Sequence, residues 1–144
     1  MAPDEAMDRL NLVLAQAWMV RTFLKHADEI QEDMDMLDVP RTLYDSIRAV
    51  EPAYQRRDAQ EYLRRLKGKL SKFRKVTEYY NAHFRDFSPH TNFEMAGLAL
   101  KGIVQQLDAI FAEVALTTPT PTASNPIPVE SPSDSNSSAD SAAE

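Results

Sequence analysis

Apolar residues recur at spacings of three and four along four successive stretches of the chain, and the recurrence stops at Leu116. A period near 3.6 places one face of an α-helix against a core, whereas a half-buried strand would alternate every second residue. The pattern predicts an all-α protein with helices over roughly 8–35, 40–56, 58–84 and 90–116, followed by a tail over 117–144 in which no period survives.

In the first stretch Val13, Ala17, Val20, Phe23, Leu24, Ala27, Ile30 and Met34 project to one broad face, with Asn11, Arg21, Lys25, Asp28 and Glu29 opposite. Gln16 projects into the middle of the apolar face, where its amide requires hydrogen-bond partners from a neighbouring helix. Leu14 and Trp18, four residues apart, lie at the edge of that face and form a candidate hydrophobic anchor for a partner helix or a dimer seam. The second stretch is expected to begin at Asp38-Val39-Pro40, since proline fits a first helical turn and aspartate caps it. Leu43, Ile47, Val50 and Tyr54 continue the period, with a kink or short break expected at Pro52.

Asp58, with Glu61 three residues on, starts the third stretch as a capping pair. Its apolar arc is Tyr62, Leu63, Leu66, Leu70, Phe73, Tyr80 and Phe84, and the period passes through Gly68 despite a propensity cost of about 1 kcal/mol relative to alanine. The fourth stretch opens on either Ser88-Pro89 or Thr91-Asn92-Phe93-Glu94. It carries a seam of Phe93, Ala96, Leu100, Ile103, Leu107, Ile110 and Val114. Gly97 and Gly102 on this helix permit close approach by a neighbour or a partner.

Short connections make successive helices antiparallel neighbours, so the expected architecture is an up-down-up-down four-helix bundle over residues 1–116. One end gathers roughly residues 26–40 and 80–94, and the other gathers the stretch near 50–62 with both extremities of the bundle. The tail holds five of the chain's nine prolines and no aromatic residue. Such a composition cannot bury enough apolar surface to offset the entropy of ordering, which predicts disorder.

Charge redraws the picture locally. The chain carries a net −6, and because Glu130, Asp134, Asp140 and Glu144 face no Lys or Arg in the tail, residues 1–116 stand at only −2. A nearly balanced domain is no bulk polyanion binder. Within it, however, Arg56, Arg57, Arg64, Arg65, Lys67, Lys69, Lys72, Arg74 and Lys75 outnumber Asp58 and Glu61 by seven. Asp28, Glu29, Glu32, Asp33, Asp35 and Asp38 form an acidic block without a cation. The basic stretch is a candidate surface for a protein partner or for phosphates.

Chemistry is sparsely signalled. The chain has no cysteine, which removes disulfides, thiolate metal ligands and a cysteine nucleophile. No Glu-x-x-His pair is present, so the di-iron carboxylate site of helical bundles has no ligand set. Ser46, Ser71 and Ser88 lack a Gly-x-Ser-x-Gly turn, and three glycines cannot build a phosphate loop. His26, His83 and His90 share one expected end with Glu29, Asp86 and Glu94, a donor set of the kind that holds zinc or a hard cation, although three independent surface histidines account for it as well. No cofactor or metal is assigned.

Arg21 to His26 and Arg85 to His90 each match Arg-x4-His. This spacing resembles that of the helical nuclease domains called HEPN, in which an arginine and a histidine brought together by dimerisation cleave RNA. The resemblance implies Arg85 and His90 as a catalytic pair, although Pro89 interrupts the spacing. It is a likeness of motif and assigns no family.

The N-terminus lacks a basic start, and the apolar run from Leu12 to Val20 contains Gln16 and ends at Arg21, so neither a secretory signal nor a membrane span is expected and the cytoplasm is the expected compartment. The leading expectation is a non-enzymatic helical interaction or scaffold protein that binds a protein partner or forms a homodimer. The alternative is a nucleic-acid-binding or RNA-cleaving helical domain that uses the basic face of the third helix.

Overall fold

The computed structural model describes residues 1–117, and every regular element among them is helical: α1 Pro3–His26, α2 Asp28–Gln31, α3 Met34–Gln55, α4 Ala59–His83 and α5 Thr91–Thr117, with a 3-10 turn at Phe84–Asp86. The disordered tail expected over 117–144 falls, beyond Thr117, outside the described residues. Along the described residues α1 packs on α3, α4 and α5, while α4 packs on α3 and α5.

The opening helix is shorter than its apolar period predicts. It starts at Pro3, where proline sacrifices no useful N–H and Asp4 and Glu5 face the positive end of the helix, and it ends at His26 rather than near Asp35. Ala27 adopts an extended conformation, φ −80° and ψ 124°. An uninterrupted helix would have placed Asp28, Glu29, Glu32, Asp33 and Asp35 in its carboxyl-terminal turns, against the negative end of the dipole. The break instead puts Asp28 and Glu29 in the first turn of α2 and leaves Lys25 and His26 in the last turn of α1.

The same acids reset α3. Asp33 caps it by accepting from the Met36 amide at 2.9 Å, so the helix begins before the expected Asp38-Val39-Pro40 start. Pro40 and Pro52 both lie inside α3, and helical structure crosses Pro52 without a break to Gln55. Met34, expected on the buried face of the first helix, is 72% exposed, whereas Ile30 is fully buried.

The face that α1 turns inward is centred on Leu10, Leu14 and Ala17, with Met7, Val13 and Leu24 beside them. This rotation carries Gln16 out to solvent, so the interhelical amide bond expected of it is not made. The largest fully buried side chains come from all five α-helices: Met7, Leu10, Leu14, Leu24, Ile30, Met36, Leu43, Tyr62, Leu66, Phe73, Tyr80 and Leu100. Phe23 near the end of α1 meets Phe93 in the first turn of α5, ring centroids 5.1 Å apart.

Two buried tyrosines tie the layers with polar ends. Tyr62 donates to Asn11 Oδ1 at 3.1 Å, and Tyr80 donates to the Phe93 carbonyl at 2.8 Å. Burial pushes both phenols above their ordinary range, so they stay protonated donors.

Candidate functional site

The basic stretch on and before α4 separates by residue type. Each of its arginines is in an ion pair: Arg56 with Asp58 at 3.8 Å, Arg57 with Asp8 at 2.8 Å, Arg64 and Arg65 with Glu61, and Arg74 with Asp108 of α5 at 2.7 Å. Hydrogen bonds from Arg64 and Arg65 hold the Glu61 carboxyl below the ordinary carboxylate range. Lys67, Lys69, Lys72 and Lys75 form no ion pair among the described residues. The structure therefore leaves the lysines as the unneutralised part of this face. All of these pairs are at least partly exposed, so each one adds little to stability.

Arg85 and His90 do not share a helix. Arg85 sits in the 3-10 turn with its guanidinium 4.6 Å from the centre of the Phe84 ring. His90 stands at the start of α5, where its Nδ1 accepts from the Asn92 amide at 3.0 Å and its carbonyl accepts from Phe93. Its imidazole thus serves as the cap of α5, a role that neither of the expected starting signals named. His83 packs against Tyr79 with the rings tilted by 37° and their centroids 4.4 Å apart, and its Nδ1 lies 3.6 Å from Asp86 Oδ2. Among the described residues no three His, Asp or Glu side chains converge in a group able to hold a metal ion.

The Leu14/Trp18 pair is divided by the rotation of α1. Leu14 is buried in the core, while Trp18 is half-buried and packs beside Tyr44 of α3, centroids 5.8 Å apart. Arg21 lies over both rings, 4.5 Å from the Trp18 centroid and 4.7 Å from that of Tyr44. Sequence periodicity had put Arg21 on the solvent face; the aromatic pair instead draws its flat guanidinium onto the α1–α3 surface.

A second surface went unread in the sequence. Leu12 and Met19 of α1 are 69% and 67% exposed, and Met95 and Leu98 of α5 are 57% and 54% exposed. Met95, Leu98, Gly102, Gln105 and Ala109 follow one another at helical spacing along the outside of α5, with Ala99 and Gln106 beside them. On α1 the exposed neighbours of Leu12 and Met19 are Ala15 and Gln16. No charged residue occurs from Leu10 to Val20. Between Met95 and Ala112 the charges are Lys101 and Asp108, seven residues apart and hence on one stripe, which Arg74 shows to be the side facing α4. The outer stripes of α1 and α5 are thus apolar and amide-bearing, with the exposed charges Glu94 and Lys101 at the edge of the α5 stripe. Their legible signal was the uncharged run itself, masked because these residues fall outside the core seams.

Glycines differ in what they permit. A Cβ on Gly97 would meet Asn81 Oδ1 at 2.5 Å, and Asn81 is held there by donating to the carbonyls of Thr77 and Gly97 at 3.0 and 3.2 Å. Gly97 therefore serves the α4–α5 contact. Gly102 has open space where a Cβ would stand.

Among the described residues no helix is long and apolar enough to cross a membrane. No family model, curated protein or solved structure matches the chain.

Proposed function

We propose that the chain is a small non-enzymatic interaction protein of the cytoplasm, an antiparallel up-down-up-down four-helix bundle that binds a protein partner or a second copy of itself. One observation carries this reading: Leu12 and Met19 on α1, and Met95 and Leu98 on α5, are exposed on stripes whose own positions, Ala15 and Gln16 on α1 and Gly102, Gln105 and Ala109 on α5, carry no charge. Interface centres are depleted of charge and enriched in methionine and other large apolar side chains, whereas solvated helix faces are laced with charge. Small residues on the same stripe, Gly102 and Ala109, with Ala99 beside it, let a partner helix approach closely.

Sedimentation velocity of the full chain and of a Met19→Glu/Leu98→Glu variant tests the reading. Self-association, or a stoichiometric partner captured by the wild type, should be lost in the variant while its helical circular dichroism is retained. A wild type that neither self-associates nor captures a partner, or a variant that associates as well as the wild type, rejects it.

The unpaired lysines support a second reading, nucleic-acid binding along α4. Lys67, Lys69, Lys72 and Lys75 would contact phosphates, with Arg85 and His90 as the cleaving pair if RNA is cut. RNA binding that weakens steeply with salt, and that Lys67→Gln/Lys72→Gln abolishes, would favour it over the protein-partner reading. The Leu14/Trp18 edge enters either reading only through Trp18, since Leu14 is in the core.

A further inference from the structure

The α1–α3 surface, separate from the face just proposed for a partner, contains a cavity of about 470 Å³ lined by Arg21, Lys25, Leu37, Arg41, Tyr44 and Asp45, with Pro40 and Gln31 completing it. We propose that this cavity binds an organic phosphate monoester, with the phosphate on Arg21, Lys25 and Arg41 and an apolar body against Leu37, Pro40 and Tyr44.

Charge is the first ground. The lining brings three cations together with one carboxylate, a surplus of two positive charges, which matches the dianion of a phosphate monoester. Among the described residues none of the three cations forms an ion pair, in contrast to every arginine of the basic stretch on and before α4. Arg41 and Asp45 are one helical turn apart on α3, yet they do not pair either.

Geometry is the second ground. Arg21 has its guanidinium over the rings of Trp18 and Tyr44, at 4.5 and 4.7 Å. With the two ring centroids themselves 5.8 Å apart, the guanidinium is seated on one side of the aromatic pair rather than between its rings, and its side away from them stays able to donate to an oxyanion. Gln31 donates to the Lys25 carbonyl at 2.9 Å, closing the rim by tying the chain beyond the helix break back to the last turn of α1. The volume is within the range of small-molecule sites, and a minority of converging polar groups against apolar walls is their usual make-up.

Trp18 is the only tryptophan of the chain, so its fluorescence reports on Arg21 directly. The probe is phenyl phosphate, titrated into the full chain, with inorganic phosphate and phenol as separate arms. Phenyl phosphate should give a saturable change at sub-millimolar concentration. Inorganic phosphate should bind about tenfold more weakly for want of the apolar wall, and phenol should give no saturable change. Arg41→Gln and Lys25→Gln should each raise the dissociation constant for phenyl phosphate about tenfold, equivalent to about 1.4 kcal/mol. Lys101→Gln, which removes an exposed charge on α5, should leave it unchanged.

Absence of saturation with phenyl phosphate up to 10 mM or so overturns the proposal, a ceiling set by the affinity scale of weak ligands. So does an equal response to phenol, or full retention of binding in both Arg41→Gln and Lys25→Gln. Those two positions are exposed, so their variants keep the fold, and circular dichroism confirms it.

Discussion

Arg57, in the turn between α3 and α4, holds the two carboxylate oxygens of Asp8 of α1 through hydrogen bonds of 2.8 and 3.0 Å. The geometry is a parallel fork, and it clamps the α3–α4 turn to the first turns of α1. These bonds hold the Asp8 carboxyl below the ordinary carboxylate range. A carboxyl depressed in the folded state stabilises the fold above its unfolded pKa and loses that contribution as pH falls through the folded value. Urea midpoints should therefore drop between about pH 5 and about pH 2, and Asp8→Asn should flatten part of that drop. Because both side chains are about half exposed, the Asp8→Asn difference should shrink in high salt. An acid limb identical in wild type and variant would show that the pair does not contribute.

Among the described residues Arg57 is also the one non-glycine residue with positive φ, at 57°. It ends α3 in a Schellman motif, with Arg57 donating to the Tyr54 carbonyl at 3.0 Å and Asp58 to the Ala53 carbonyl at 2.9 Å. Glycine meets no penalty in that conformation, whereas an L side chain costs about 1 kcal/mol there. Once Asp8→Ala has removed the ion pair, Arg57→Gly should raise stability by about 0.5–1 kcal/mol, read from the urea midpoint. In the wild-type background the gain should be smaller, since the clamp is lost at the same time.

The start of α3 offers a direct contrast between sequence signal and structure. Asp33 accepts from the Met36 amide, so Asp33→Ala should cost about 1 kcal/mol of stability. Asp38 is an exposed residue inside the helix, and Asp38→Ala should be near neutral or slightly stabilising by propensity. Equal losses at the two positions would return the helix start to the Pro40 signal.

What was legible in the sequence was whatever depended on period. The seams on α4 and α5 were read from spacing, and Asp58 was read as a cap because side chain, spacing and hydrophobic run agreed; it accepts from the Glu61 amide at 3.1 Å. The end of α1 was not legible, because Ala27, Ile30 and Met34 continue the apolar period across a break whose cause is electrostatic: carboxylates seek helix beginnings. Pro40 misled because proline fits a first turn well, yet here it stands further in, where its lost hydrogen bond is offset by the burial of Met36, Val39 and Leu43 in the surrounding turns. The surfaces were harder still. A helical projection treats every residue off the seam as solvent-facing, so Arg21 on two aromatic rings and Met19 and Leu98 on uncharged stripes looked alike. Only the neighbouring helix tells them apart.

The two small positions on α5 separate folding from association. At Gly97 an added methyl would displace Asn81, which is fixed by two carbonyls, so Gly97→Ala should destabilise the fold by about 1–3 kcal/mol. At Gly102 nothing stands within 4 Å of the added Cβ, so Gly102→Ala should stabilise by up to about 1 kcal/mol through helix propensity alone. Thermal unfolding of the two variants should move in opposite directions. Gly102 also sits between Leu98 and Gln105 on the stripe proposed to meet a partner, where a long charged side chain would leave its charge in the dry centre of the contact. Gly102→Lys should therefore leave thermal stability at or above the wild-type value and abolish association in sedimentation. Retained association in Gly102→Lys would move the contact off the outer stripe of α5, and a loss of stability would mean that a neighbour within the monomer already occupies that space.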